Sequence, residues 1–194
     1  MSRFLVFLVL LVSTSANAAT VYEMNNGQLI GITEVDVNGV LYDVSFQSGS
    51  FDSIYGDPAN LTFTNSADAY AASGVLLSML GENIVGSDGA IYDFERSTTL
   101  VNGCGNFIYC HLFTTYGLAT DISGVERATH ANAINFYDAV SDMNVYGSID
   151  RTASTPFWAT YAVWAESATV PEASSLVLLG IGLLGIGFSR RRLK

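Results

Sequence analysis

Two cysteines and two histidines are the side chains of this 194-residue sequence best equipped for chemistry; Cys104, Cys110 and His111 lie close together, with His130 further along. Thiolate and imidazole both bind zinc, but the C-x5-C-H spacing matches no usual zinc pattern, which speaks against a metal on Cys104, Cys110, His111 and His130. An even cysteine count is most simply one disulfide, Cys104 to Cys110, wherever the compartment oxidises thiols. The small loop it closes contributes about 2 kcal/mol, and oxidation of both sulfurs leaves no thiol nucleophile. No G-x-S-x-G elbow, Gly-rich phosphate loop or paired metal-ligand motif is present. Carboxylate pairs of the glycosidase kind carry no weight, because 18 acids scattered along the chain make pairs inevitable. The expectation is a protein that is not an enzyme and carries no cofactor. A hydrolase would have to show a cleft with a perturbed carboxylate pair or histidine.

One group of acids has defined spacing. Residues 30–46, IGITEVDVNGVLYDVSF, place Asn38-Gly39 between two β-rich runs. Both turn residues accept positive φ, so a two-residue hairpin turn is expected. Counting outward pairs Val37 with Val40, Val35 with Tyr42 and Thr33 with Val44, which makes one apolar face. On the other face Asp36 lies opposite Leu41 and Glu34 opposite Asp43. Like charges opposed across a ladder are unfavourable. Two accounts stand side by side: a solvated outer face screened by salt, or a calcium ion collected by Glu34, Asp36 and Asp43, since hard cations take carboxylate oxygens.

The elements that position these residues follow from period and punctuation. Residues 51–64 read as turns, with Gly56, Asp57, Pro58 and Asn60. Asn65 then caps a helix, Asp68 favours its positive end, and Ala69, Ala72, Leu76 and Leu80 form a stripe that stops at Gly81. This helix is expected to cover the hairpin's apolar face. Residues 82–125 alternate turns with short β-like runs at 90–94 and 107–116. Residues 126–140 are ambiguous by period and are read as strand in this β-rich context. Residues 143–149 and 157–164 are strands, the last with Phe157, Tyr161 and Val163 on one face and Trp158 and Trp164 on the other. Aromatics on both faces mean a central, core-packed strand or an exposed platform for carbohydrate stacking. The fold class is α+β, mainly antiparallel β-sheet with a covering helix.

The ends differ in kind from this body. Residues 1–18 carry Arg3, an apolar block at 4–12 and Ala16-Asn17-Ala18, the layout of a signal peptide cut between Ala18 and Ala19. At the other end Val170, Pro171 and Glu172 precede an uncharged run at 176–188 and then Arg190, Arg191, Arg192 and Lys194. Thirteen apolar residues make about 20 Å of helix against a hydrocarbon core of roughly 30 Å. Ala173, Ser174 and Ser175 extend the run without charge, and the arginines can snorkel, so a thin transmembrane anchor helix is expected. The arginines stay cytoplasmic, which leaves the body outside.

This order resembles the PEP-CTERM sorting signal of Gram-negative bacteria: a Pro-Glu pair, a polar spacer, a Leu/Gly-rich segment and terminal arginines. Ala173 departs from it, where the family usually has a second proline. The resemblance implies an exosortase-type processing enzyme as partner, membrane attachment through the C-terminal helix before processing, and then a place at the cell surface or outside the cell. It also implies a role as a surface or extracellular-matrix component beside extracellular polysaccharide. The chain thus divides into a leader (1–18), an exported body (19–169) and a sorting and anchor segment (170–194). A calcium-dependent or carbohydrate-binding adhesive module and an exported hydrolase are the alternatives. With Arg3 in the leader and four cations in the tail, the body keeps Arg96, Arg127 and Arg151 against seventeen acids, no lysine, and a net charge of −14. Such a surface excludes nucleic acid as a partner.

Overall fold

The computed structural model describes residues 19–106, 108–136 and 142–168. The expected leader and the expected anchor helix lie outside the described residues. Among the described residues no helix is long and apolar enough to cross a membrane.

Two Asn-Gly turns open the body. Asn26 and Gly27 (φ 50° and 77°) and Asn38 and Gly39 (56° and 85°) all adopt the left-handed region. That conformation matches the twist of the flanking strands. It folds β1 (Val21–Asn25), β2 (Gln28–Val37) and β3 (Val40–Gln47) as an antiparallel meander. Val37–Val40, Asp36–Leu41 and Val35–Tyr42 pair as expected. Further out the register changes: Ile32 pairs with Val44, and Glu34 sits at φ 58°. The expected pairs Thr33–Val44 and Glu34–Asp43 are therefore replaced by a bulge. Its cause is visible in the hydrogen bonding, because the Glu34 N–H donates to Asp43 Oδ1 at 3.1 Å. The extra residue sets a backbone donor, in place of a second carboxylate, against Asp43.

A second antiparallel meander is built from β6 (Tyr109–Thr120), β7 (Glu126–Phe136) and β8 (Met143–Asp150). β9 (Ala159–Glu166) joins the two, antiparallel to β3 and parallel to β6. The result is one seven-stranded sheet in the order β1-β2-β3-β9-β6-β7-β8. The ambiguous stretch is strand over Glu126–Phe136, its remainder (137–140) lying outside the described residues, and the last strand is central.

Both faces of this sheet are covered. On one lies α2 (Ser66–Met79), whose Asn65 cap accepts the Asp68 N–H at 2.9 Å. Its buried residues are Ala69, Ala72, Ser73 and Leu76, small enough for the helix to sit close. The helix packs mainly on β7 and β6 and only reaches β2, so it covers the second meander more than the N-terminal hairpin expected to receive it. Leu29, Ile32, Val35, Val44, Phe46, Leu112, Ala162 and Trp164 complete that core. The other face is covered where turns were expected. Ser50 and Ser53 form a reciprocal capping box that starts the one-turn α1 (Phe51–Ile54), and Pro58–Asn60 forms a 3-10 turn. They deliver Phe51, Tyr55 and Leu61 onto Phe113, Ala159 and Tyr161. A small hairpin of β4 (Ile84–Val85) and β5 (Ile91–Tyr92) lies against β1, where the Ser87 N–H donates to the Tyr22 carbonyl.

Candidate functional site

Cys104 and Cys110 are joined, their Cα atoms 5.7 Å apart, and both are buried against the α2 side of the sheet. There is no free cysteine. Because successive strand residues point to opposite faces, Cys110 and His111 diverge, and both sulfurs are used by each other. This removes the zinc reading of Cys104, Cys110, His111 and His130, and with it the thiol nucleophile.

His111 and His130 belong to the opposite face, which carries the only concentration of perturbed groups among the described residues that also holds both imidazoles. Alternation along β6 aligns Tyr109, His111, Phe113 and Thr115, while the ladder sets His130 opposite Thr115 and Asn132 opposite Phe113. The parallel pairing of β9 adds Tyr161 beside Phe113, and Trp158 just before the strand. His130 stacks on Phe113 with centroids 4.0 Å apart. His111 meets Trp158 edge to face at 4.6 Å, and Tyr109 meets both His111 and Trp158. The Asn132 side-chain nitrogen lies 2.7 Å from His111 Nδ1. In the arrangement where this amide donates, His111 is neutral with its proton on Nε2, and Asn132 Oδ1 is left without a partner.

Burial dominates the titration here. It pushes His111 and His130 each down to about 4. For His130 the carbonyl of Ala128 pulls weakly the other way without making a hydrogen bond to Nδ1, and the neighbouring His111 adds a little to the depression. Burial, with Asp52 behind it, raises Tyr161 to about 12. At neutral pH both imidazoles are therefore uncharged, and no described carboxylate hydrogen-bonds either one. What the half-exposed rings of Tyr109, His111 and Trp158 can do is stack, with the Asn132 carboxamide as a hydrogen-bonding neighbour.

The hairpin acids are not brought together. Asp36 Oδ1 accepts the Gly39 N–H at 2.7 Å and so closes its own turn. Asp43 Oδ1 accepts the Glu34 N–H and the Ser167 hydroxyl, the latter at 2.7 Å. Glu34 is turned aside by the bulge. Among the described residues no group of three or more His, Cys, Asp or Glu is placed to hold a metal. The expected calcium ligands Glu34, Asp36 and Asp43 are thus not gathered into one group, and the chain itself supplies donors to Asp36 and Asp43.

The aromatic residues of the last strand divide. Trp164 is buried, donates from Nε1 to Thr114 Oγ1 at 3.1 Å and packs on Tyr42 and Phe63. Tyr161 is buried on the other face. Both belong to the core of a central strand. Phe157 lies before the strand and is exposed. The histidine face was missed as a unit because the two imidazoles were weighed only as metal ligands. The signal that would have found it is the period-two alternation of Tyr109, His111, Phe113 and Thr115.

Residues 169–192 match the PEP-CTERM protein-sorting motif. The motif covers Val170, Pro171, Glu172 and Arg190, Arg191 and Arg192, and marks the chain for export, sorting to the cell surface and processing by an exosortase. Its residues, like Ala18 of the leader, lie outside the described residues. No curated protein matches the chain, and no solved structure does.

Proposed function

We propose that the β-sheet body is a non-enzymatic component of the cell surface or extracellular matrix, exported through the leader with cleavage between Ala18 and Ala19 and trimmed from its tail beside Pro171 and Glu172. The observation that carries this reading is the junction of body and motif. β9 ends at Glu166, the Ser167 N–H donates to the Leu41 carbonyl at 2.9 Å, and the sorting motif begins at residue 169. The body is thus hydrogen-bonded up to the edge of the motif, and a cut within the motif leaves every strand in place. The disulfide and the lysine-free acidic surface suit an oxidising, extracytoplasmic setting.

The test is mass spectrometry of protein released from the surface. The expected species begins at Ala19, ends near Glu172 and contains an intact Cys104–Cys110 bond. Recovery of the uncut chain from cytosol with two free thiols overturns the reading.

A second reading has its own support. Tyr109, His111 and Trp158 are half-exposed rings packed against one another, an arrangement that suits a neutral sugar ring, whose apolar C–H faces lie on aromatic surface. Extracellular polysaccharide is the corresponding partner. Titration of a panel of neutral and acidic polysaccharides against tryptophan fluorescence decides it, and an unchanged spectrum across the panel removes it.

A further inference from the structure

The seven-stranded sheet is open, so it has two edge strands, β1 and β8. An edge presents unpaired N–H and C=O groups, and soluble proteins blunt such edges with bulges, charges or covering segments. β1 has all three devices. Its ladder is bulged between Glu23 and Met24, Glu23 supplies a charge, and residues 86–87 of the small hairpin bond to it.

β8 has no bulge and, among the described residues, no covering segment, and its one charge is Asp150 at its end. Its pairing with β7 is regular from Arg127–Asp150 to Ile134–Met143. Residues 143–149, MNVYGSI, contain no charge and no proline. Among the described residues no strand pairs with its outer side. Apolar side chains flank this edge on both faces. Met143 and Val145 (44% and 37% exposed) lie on the histidine face, and Tyr146 (56%) on the helix face, its ring 5.0 Å from that of Tyr70 (39%) on α2. The two tyrosines are held in place, since Tyr70 donates its hydroxyl to the Asn144 carbonyl and the Asn144 amide donates to the Tyr70 carbonyl. Preset aromatic anchors of this kind dominate binding energy at interfaces.

We propose that β8 is an assembly edge that pairs antiparallel with β8 of a second copy of this chain, joining two sheets into one. Charge selects this occupant. The body carries −14, so copies repel except where segments without carboxylates meet, and residues 143–149, uncharged and with apolar side chains on both faces, are complementary to themselves. A two-fold axis at Gly147 sets Val145 against Ile149 and Asn144 against Asp150, with no carboxylate opposite another. Shifting the axis to Tyr146 sets Asp142 against Asp150, which is unfavourable. Such a contact is isologous and closes on itself. With β1 blunted, the assembly stops at two.

The experiment uses the full chain, exported and purified in its disulfide-bonded form, with mass measured by light scattering across a concentration series from about 1 to 500 μM. A concentration-dependent dimer is expected. Val145→Lys and Tyr146→Lys each introduce two charges at the paired edges and weaken it at least about tenfold, while Val21→Lys on β1 leaves it unchanged. Circular dichroism confirms that each variant is folded. Amide exchange of the unmodified protein provides a reading that needs no variant: the outward amides of β8 gain protection as concentration rises, and those of β1 do not. A monomer throughout the range, assembly beyond two, a dimer unaffected by both β8 substitutions, or β8 exchange independent of concentration each overturns the proposal.

Discussion

Acid should destabilise this fold through His130, and the size of the effect follows from its burial. The ring is 3% exposed, stacked on Phe113 and pressed over Gly147. Desolvation lowers its pKa from 6.5 to about 4. Between those values the unfolded chain binds a proton that the folded chain refuses. Stability is therefore complete above pH 6.5, falls as pH drops from 6.5 to 4, and changes no further below 4 on account of this residue. A shift of that size at about 1.4 kcal/mol per unit corresponds to about 3 kcal/mol, a large share of an ordinary domain's stability. His111 titrates in the same direction, but it is half exposed and solvent screens its share. Urea unfolding at a series of pH values separates the two, because in His130→Gln the His111 and carboxylate contributions remain and cancel in the comparison. Whatever the offset at pH 7, the free energy of wild type minus that of His130→Gln should decrease by about 3 kcal/mol between pH 7 and pH 4. Parallel curves, or a His130 resonance titrating near 6.5 in the folded protein, would refute the argument.

Three further outcomes are expected. Gly147→Ala places a methyl carbon 2.6 Å from His130 Nε2, which overpacks a β-ladder and should cost about 1–3 kcal/mol in urea unfolding, with a perturbed His130 resonance. Replacing both cysteines by alanine opens the six-residue separation between Cys104 and Cys110 and should lower stability by about 2 kcal/mol, measured against the oxidised parent and without loss of the far-ultraviolet β-sheet spectrum. Millimolar calcium should leave the melting temperature unchanged, since Asp36 and Asp43 already accept chain donors; a rise of several degrees would restore the cation site.

The parts of the fold legible beforehand were those with local causes. Asn38-Gly39 names its own turn, and Asn65 with Asp68 names the helix start, because a turn conformation or a cap depends on a few adjacent residues. By the same rule Asn26-Gly27 announces the turn between β1 and β2, and that hairpin was there to be read. The bulge at Glu34 was not legible by counting, since a single residue in the left-handed region shifts every pair beyond it. Nor could local pattern place α2 on β6 and β7, or reveal that Phe51 and Tyr55 cover the second face. Those outcomes depend on the position of β9, a long-range fact that neither period nor propensity encodes. The histidine face stayed hidden for a related reason: the fold assembles it from the β6–β7 hairpin and from β9, which lies beyond β8 in sequence, and its character comes from burial more than from residue type.

The position of β9 also links the fold to its delivery. Without this strand the β1–β3 and β6–β8 meanders share no ladder, because β3 and β6 each pair with β9 and not with one another. The sheet can become continuous only after residues 159–166 have left the export channel, and the sorting motif follows from residue 169. Closing contacts between β3 and β9 span more than a hundred residues of sequence, so chain entropy delays them to the end of folding. Completion of the sheet thus waits on residues that lie just ahead of the sorting motif. A body closed by an early strand could fold well before its tail emerged. Here the residues that seal the sheet are the immediate neighbours of those that the processing enzyme reads, and Ser167, hydrogen-bonded to Leu41 and Asp43, ties the two together. The hairpin carboxylate first suspected of binding a cation thus anchors the end of the folded body, a structural task that accounts for an acid at that position without any ligand.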